Sequence, residues 1–558
     1  MKNKKIVIIG GVAGGATAAA RMRRLDEFAQ ITVLEKGEYV SFANCGLPYY
    51  IGGEIKRKSS LTLQTPESFR ARFNVDVRVF NEVTAINRER KTVTVYDLIK
   101  ETTYEESYDK LIISTGASPA LPAVEGIDDE RIFTLRNIPD TYKIKEFTEQ
   151  TKPRTALVVG GGFIGMEMTE NLVKAGVEVT VATRSDRVMS HMDYDASCFI
   201  HNELRANGVK LLFNNVPEKI IKKKDCLEVV LSSGKSVMTD MIILALGVTP
   251  DSKIAVDAGL EVNEKGAIKT DKNMRTSDPD IFAVGDAVES YDFITSSPSH
   301  VPLAGPANKQ GRIAADNIAG IPSEYKGTQG SAIVKIFGLT AAYTGLSENQ
   351  AKRRGLNYGV SHTFSPSHAT YYPHPEYMSV KTVFDKTDGK ILGVQIVGGE
   401  GVDKRCDVMA TAIRAGMTAY DLTNLELCYA PPYGSAKDPV NMVGYTIENL
   451  LTGKVKNFYC EDIDSLLDRK DVTLLDTRTK YEYDRGHIRG FVNVPVDELR
   501  ANLNLLDKSK PVYLTCHVGQ RGYVAARILS QYGYDVYNLS GGYNLYATIM
   551  TSKYPEQV

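Results

Sequence analysis

No CxxC pair occurs among the seven cysteines, which stand scattered at 45, 198, 226, 406, 428, 460 and 516, so neither a zinc site nor a disulfide framework is indicated. An odd number of dispersed thiols fits a reducing cytoplasm, where cysteines stay free for chemistry. No apolar run reaches the length of a membrane span. The short run at 6–9 leads into glycines and reads as a buried strand rather than a signal peptide. Net charge is only −1, so overall charge gives no argument for a nucleic acid partner. What is present is ordinary globular composition, 43% hydrophobic and 24% charged over 558 residues, enough for about three to five domains.

Two strand–glycine turn–helix units stand out, at 5–24 and 156–175, each returning to a strand, at 31–34 and 178–182. This doubled βαβ pattern predicts an α/β chain with two parallel-sheet nucleotide domains. The first turn is Gly10-Gly11-Val12-Ala13-Gly14-Gly15, with Val12 where a second glycine usually stands. Glu35, at the end of the next strand, is placed to bind ribose hydroxyls. The second turn, Gly160-Gly161-Gly162-Phe163-Ile164-Gly165 followed by Glu167, is a full GxGxxG. Its strand ends in Thr183-Arg184 rather than an acid, which favours a 2′-phosphate and hence NADPH, with dual use of NADH left open. Two such folds imply two nucleotides that meet, and FAD with NAD(P)H is the commonest pair.

With Ser114-Thr115-Gly116-Ala117, the run 245–250 (ALGVTP) and the run 276–286 (TSDPDIFAVGD), residues 1–450 resemble the flavoproteins with two dinucleotide-binding domains, the pyridine nucleotide–disulfide oxidoreductases. The resemblance implies FAD at Gly10, Gly11, Ala13, Gly14, Glu35, Lys36, Thr115, Gly116, Gly285 and Asp286, with Asp286 on the ribitol. It implies NAD(P)H at Gly160, Gly162, Ile164, Gly165, Glu167, Thr183, Arg184 and Gly247. Such enzymes carry their redox cysteine where SFANCGLPYY places Cys45. Relatives that cycle an internal disulfide have a second cysteine five positions on; here that position is Tyr50. Cys45 must then pair with its substrate, or form a sulfenic acid.

The SFANCGLPYY stretch resembles the coenzyme A-disulfide reductases in particular. In these, two tyrosines from a partner subunit serve the reacting thiol, and by motif position they are Tyr371 and Tyr429, with Tyr372 and Tyr433 close enough to be confused with them. No His-Glu acid–base pair stands near 430–450, which is consistent with tyrosine as proton donor. By the same resemblance Thr17, Arg21, Arg24, Ser41, Asn44 and Lys437 line a coenzyme A site. Read alone, the ARMRR helix end is a solvated face.

From 458 onward the chain resembles a single rhodanese domain: 474–478 (LLDTR), 486–490 (GHIRG), then Cys516-His517-Val518-Gly519-Gln520-Arg521-Gly522 between a strand at 512–515 and a helix. A cysteine at such a junction meets backbone N–H groups that stabilise a thiolate or persulfide, and Arg521 adds positive charge. Asp476 and Arg478 read as structural. The expected organisation is a first dinucleotide domain at 1–118, resumed at 247–326, around a second at 119–246. An α+β dimerisation domain at 327–450, a linker at 451–457 and the rhodanese domain at 458–558 follow.

The expected activity is NAD(P)H-dependent reduction of coenzyme A disulfide, coenzyme A persulfide or polysulfide in a cytoplasmic homodimer, through Cys45 and with Cys516 handling sulfane sulfur. No metal ligand set is expected. Three rivals follow from the same residues: an NADH oxidase or peroxidase cycling through Cys45 sulfenic acid, a sulfurtransferase whose flavoprotein half regenerates a thiol, and a non-catalytic redox sensor or sulfur carrier.

Overall fold

The computed structural model describes residues 3–555 and divides into two compact units, residues up to 184 with 212–328, and 185–211 with 329 onward. In the first, β1 (Lys5–Ile9) is a β-branched run buried along almost its whole length, as expected of a parallel strand covered on both faces. It leads into α1 (Ala13–Leu25), then β2 (Gln30–Leu34), the short α2 (Leu47–Ile51) and β3 (Asp76–Arg78). A three-stranded antiparallel sheet, Asn81–Asn87, Thr92–Asp97 and Thr102–Ser107, intervenes before β4 (Lys110–Ile113). The polar third strand, TTYEES, carries no hydrophobic alternation of its own and is ordered by pairing with Thr92–Asp97.

The second βαβ unit is β5 (Thr155–Val159), α3 (Phe163–Lys174) and β6 (Glu178–Thr183). After these come α4 (Tyr194–Ala206) and β7 (Met241–Leu244), with β5 lying parallel between β6 and β7. Strands Ala117–Pro119 and Val248–Pro250 pair with each other where the chain leaves and re-enters the first dinucleotide fold. That fold is completed by β8 (Ile281–Ala283), giving the sheet order β8-β4-β1-β2-β3, and by α5 (Ala304–Ile318). α1 and α5 approach closely through small residues: a side chain on Gly311 would stand 2.3 Å from the Gly14 carbonyl oxygen.

The second unit holds an antiparallel sheet of β9 (Ala332–Ile336), β10 (Leu339–Gly345), β11 (Tyr358–Pro366), β12 (Tyr377–Asp385) and β13 (Ile391–Gly398), in the order β9-β10-β13-β12-β11. It also holds α6 (Val402–Ala415) and α7 (Pro439–Leu451). β14 (Lys456–Phe458) already belongs to the last sheet, so only 452–455 separate the two folds where a linker at 451–457 was expected; β14 pairs with strand residues 537–539. That sheet is parallel, in the order β14-β18-β17-β15-β16, with β15 (Thr473–Asp476), β16 (Val492–Asn493), β17 (Val512–Thr515), α8 (Gln520–Gln531), β18 (Val536–Leu539) and α9 (Gly542–Lys553).

Segment 185–211 follows the nucleotide motif in sequence yet packs in this second unit. The reason is a buried charge cluster. Lys381 Nζ, on β12, lies 2.8 Å from Asp195, 2.8 Å from Glu348 and 3.3 Å from Asp193. His362 on β11 joins Asp195 (2.8 Å) to the Ser540 hydroxyl (2.9 Å), and His201 on α4 meets the Ser552 hydroxyl of α9 at 2.8 Å. Burial disfavours charge on Asp195, but Lys381 and His362 outweigh it and hold the carboxyl well below the usual range. Among the described residues no helix is long and apolar enough to cross a membrane.

Candidate active site

Gly10 ends β1 with φ +94°, a conformation that disfavours any side chain, and a Cβ there would stand 2.2 Å from the Ser114 carbonyl oxygen. A Cβ on Gly15 would stand 1.9 Å from the Gly10 carbonyl oxygen. These two glycines let α1 start hard against the strand. No side chain caps α1 and its first turn carries no acid, so its N-terminus is left for an anion. Ala13 is its first residue. Glu35 is held at the loop, its carboxylate accepting the N–H of Gly11 at 2.8 Å and of Gly37 at 2.9 Å; Lys36 beside it is exposed. Thr115 Oγ1 donates to the Asp251 carbonyl at 2.6 Å, and Gly116 has φ +75°. Gly285 and Asp286 lie in the turn after β8, where the Gln310 side chain accepts the Gly285 N–H at 2.8 Å.

The second loop repeats this construction. Gly160 has φ +116°, and a Cβ would meet the Ala245 carbonyl oxygen at 2.2 Å; on Gly165 it would meet the Gly160 carbonyl oxygen at 2.0 Å. Gly162, the N-cap of α3, differs: its φ is −85° and nothing lies within 4 Å of a Cβ built there. α3 also has no side-chain cap and no acid in its first turn, which includes Ile164. Thr183 is buried, Arg184 exposed, and Gly247 sits at φ +96° with open space beside it. Both loops therefore fit dinucleotide pyrophosphates: uncapped helix starts, approachable backbone, and an acid at the first strand end.

Cys45 lies in the single turn Asn44–Gly46, ahead of α2. Ser41, at φ +44°, donates its N–H to the Gly11 carbonyl at 2.9 Å and folds this segment back over the first glycine loop. The Cys45 residue is exposed, yet enough protein surrounds its sulfur that desolvation is the largest influence and raises the thiol. The carboxylates of Glu167 and Asp286 raise it further, and Arg136 opposes them. The structure thus gathers three separate motifs around one sulfur: the cysteine turn, the second glycine helix, and the TSDPDIFAVGD acid. Burial pushes the Glu167 carboxyl up to about 7, against a 3.3 Å hydrogen bond donated by Tyr49. Arg136 pairs with Asp286 at 2.9 Å. Sequence reasoning missed Tyr49, although it stands within SFANCGLPYY, and Arg136, which stands in no motif. Position 50 holds a buried tyrosine whose ring packs edge-on against Tyr142, 6.0 Å between centroids.

Of the expected coenzyme A residues, Thr17 Oγ1 bonds the Asn308 side chain at 2.5 Å and Arg21 Nε is held by Asp316 at 2.7 Å. Arg24 and Lys437 are exposed, and Lys437 belongs to the second unit. Arg23, between Arg21 and Arg24 on α1, is buried and donates to five backbone carbonyls, of Asp26, Glu27, Ala29, Phe73 and Asn74. The ARMRR end is therefore only partly the solvated face that it reads as alone.

In the second unit the hydroxyls of Tyr371 and Tyr429 meet at 2.7 Å on an exposed surface, and that hydrogen bond raises the Tyr371 phenol. Tyr372 instead packs on His368, and Tyr433 takes no part in the pair. Cys516 is almost wholly buried at the head of α8. Its sulfur accepts the Gly519 N–H at 3.1 Å; burial raises the thiol, while the N–H groups of Gly522, Gly519 and Val518 and the Arg521 charge pull the other way. Arg521 is held two-pronged by Glu482, at 2.6 and 2.7 Å, and this holds the Glu482 carboxyl down at about 2. The Cys516 and His517 carbonyls accept N–H bonds from Tyr543 and Asn544, which fix the loop from behind. Asp476 and Arg478 form a buried pair at 2.7 Å, with the guanidinium over the Tyr543 ring. Among the described residues no cluster could hold a metal ion.

Two dinucleotide cradles converging on one thiol, followed by an antiparallel sheet and a second thiol buried at a strand–helix junction, define a two-nucleotide disulfide reductase with a fused rhodanese domain. The pyridine nucleotide-disulphide oxidoreductase model matches residues 4–311, its dimerisation domain 331–439, and the rhodanese-like domain 460–548; the chain belongs to this oxidoreductase family. It is 38% identical to the coenzyme A disulfide reductase of Staphylococcus haemolyticus over 80% of this chain and 100% of the relative. Among solved structures it resembles reduced Bacillus anthracis CoADR-RHD, with TM-score 0.96, 48% identity, and coverage of 100% of this chain and 99% of that one. It also resembles an NAD-dependent persulfide reductase from A. fulgidus, with TM-score 0.91, 38% identity, and coverage of 97% and 100%. The chain is accordingly an NAD(P)H-dependent oxidoreductase of disulfides or persulfides, and its family implies FAD as well as NAD(P)H.

Proposed function

We propose that this chain reduces coenzyme A disulfide, coenzyme A persulfide or polysulfide through a single thiol, Cys45, and that Cys516 handles sulfane sulfur in the same reaction sequence. The observation that carries this reading is the convergence of Glu167, Asp286 and Arg136 on Cys45, with a buried tyrosine where an internal disulfide partner would stand.

FAD would be held by the Gly10 loop, Glu35 and Asp286, and NAD(P)H by the Gly160 loop, with Arg184 available to a 2′-phosphate. A bound flavin supplies the two-electron relay between nicotinamide and thiol. The chain's own residues do the rest. Cys45 thiolate attacks one sulfur of the coenzyme A disulfide, forming Cys45–S–S–CoA and expelling coenzyme A thiolate. Arg136 offsets the two carboxylates and favours the thiolate. The leaving thiolate takes a proton from Tyr371 or Tyr429, supplied across a homodimer interface, and the neighbouring hydroxyl steadies the phenolate so formed. Two electrons then split the mixed disulfide, so one NAD(P)H and one proton yield two coenzyme A thiols. From a persulfide the products are one coenzyme A thiol and hydrogen sulfide. Thr17, Arg21, Arg24, Ser41, Asn44 and Lys437 would receive the coenzyme A, and a pantetheine arm would carry sulfur between Cys516 and Cys45 in the reducing cytoplasm.

Anaerobic turnover of wild type, Cys45→Ser and Cys516→Ser with coenzyme A disulfide, coenzyme A persulfide and polysulfide, each with NADH and NADPH, tests this. Cys45→Ser is expected to lose all reductase activity, and Cys516→Ser to lose it selectively with sulfane donors. Unchanged turnover of Cys516→Ser with every sulfane donor would end the coupling idea.

A further inference from the structure

Resting on that reading, we infer that Arg405 is the positioning residue that sets the Tyr371–Tyr429 pair. Both tyrosines stand on irregular loops, 367–376 and 424–438, with no helix or strand of their own. Exposed loops of this length are mobile unless something ties them, yet two hydroxyls must be kept at 2.7 Å for one to donate a proton while the other steadies the phenolate. Arg405, on α6, is 2% exposed, and its guanidinium reaches both loops. Nη2 donates to the Ser367 carbonyl at 2.9 Å, at the start of the Tyr371 loop, and to the Asp438 carboxylate at 3.0 Å, at the end of the Tyr429 loop. Nη1 returns to the Gly401 carbonyl of its own helix at 3.4 Å.

Each anchor is itself fixed. Ser367 closes its loop onto Glu376, whose carbonyl accepts the Ser367 N–H at 2.6 Å and whose N–H the Ser367 hydroxyl accepts at 3.2 Å. The second oxygen of Asp438 accepts the Val440 N–H at 3.0 Å and caps α7. One planar cation therefore ties both loop ends to one helix. A lysine in its place would keep the charge, but its nitrogen ends a shorter, flexible stem, without the planar guanidinium that aims Nη2 at both loops while Nη1 returns to the helix.

The test is a mutant cycle in the full-length, FAD-loaded enzyme: Arg405→Lys, the double variant Tyr371→Phe/Tyr429→Phe, and the triple combination, assayed with coenzyme A disulfide across pH. Flavin reduction by NAD(P)H and thiocyanate formation at Cys516 report folding. Arg405→Lys is expected to lower kcat about tenfold or more with KM within threefold, to move the alkaline limb of the kcat profile, and to leave both folding reports within twofold. In the tyrosine-less background the same change is expected to cost less than twofold, because an interaction acting through the pair has nothing left to act on. An equal loss in both backgrounds, or full activity of Arg405→Lys, overturns the inference. Should Arg405→Lys fail the folding reports, Asp438→Asn, which preserves the cap and weakens the pair, takes its place in the cycle: a loss confined to the tyrosine-containing background supports the inference, and an equal loss in both, or none, overturns it. A wild type that reduces none of coenzyme A disulfide, coenzyme A persulfide and polysulfide refutes the proposed function instead, and where only a sulfane substrate turns over the same cycle is read with that substrate, so the two failures are separable.

Discussion

Gly162→Ala separates steric from ligand-driven demand for glycine. Gly160 and Gly165 are needed by the fold, since a methyl on either would stand at about 2 Å from a backbone oxygen. At Gly162 the backbone is ordinary for an L-residue and 4 Å of space is clear, so the fold asks nothing of it. Only a ligand pressed against the loop would. Alanine is a poorer N-cap than glycine by about 0.5–1 kcal/mol, but at this ordinary backbone it also restricts the unfolded chain by about 0.4–1 kcal/mol, so the net stability change is expected to stay below about 0.5 kcal/mol. A methyl between loop and pyrophosphate is expected to cost about 1–3 kcal/mol, the usual scale for one unwelcome carbon in a binding site, or roughly 5- to 150-fold in NAD(P)H affinity. Stopped-flow flavin reduction over a range of NADPH and NADH gives the affinity, and thermal unfolding with flavin absorbance gives stability and FAD content. A normal nucleotide affinity in a stably folded Gly162→Ala would refute the placement of the pyrophosphate at this loop.

Four further outcomes follow from the same geometry. Glu482→Gln keeps the shape but loses the two-pronged bond to a partly exposed Arg521, and is expected to reduce thiocyanate formation at Cys516 about tenfold with NAD(P)H-dependent flavin reduction unchanged. Lys381→Met leaves the carboxylates of buried Asp193, half-buried Asp195 and partly exposed Glu348 around an uncharged side chain and is expected to cost about 3 kcal/mol in urea unfolding at pH 7. Because the folded Asp195 carboxyl is depressed, its contribution is present above about pH 4 and lost as pH falls further, so the gap between Lys381→Met and wild type should narrow in acid. Glu167 is raised to about 7, so its ionisation costs stability as pH climbs from about 4.5 to 7; Glu167→Gln should gain stability at pH 8 and none at pH 4, read by melting temperature.

The glycine turns were legible because their demands are local: a positive φ at Gly10 and Gly160, and helix starts without caps, are written within six residues each. The Cys516 loop was legible for the same reason. Arg136 was not, since its meaning lies in Asp286, 150 positions away, and nothing around Arg136 marks it. Arg405 reads as an ordinary charged residue of an amphipathic helix, and only packing shows it sealed between two loops. The three arginines of ARMRR look equivalent in sequence, yet one is buried on backbone carbonyls, one is paired with Asp316 and one is exposed. Which fate each meets depends on α5 and on the chain around 73–74, far from α1 in sequence.

The two thiols are prepared in opposite ways, and this bears on what each can hold. Cys516 is sealed from water and surrounded by backbone N–H groups, an environment with permanent dipoles aimed at sulfur and little room to leave, suited to keeping a persulfide anion. Cys45 is open to solvent, and its immediate charges, two carboxylates against one arginine, work on balance against a lone anion. A thiol so placed is better occupied when bonded to another sulfur than when charged and waiting, which suits a mixed disulfide as its resting form. Under the proposed function, with Tyr50 closing off an internal partner, that other sulfur arrives with a substrate. Coenzyme A, a long arm ending in a thiol, is a substrate that brings one.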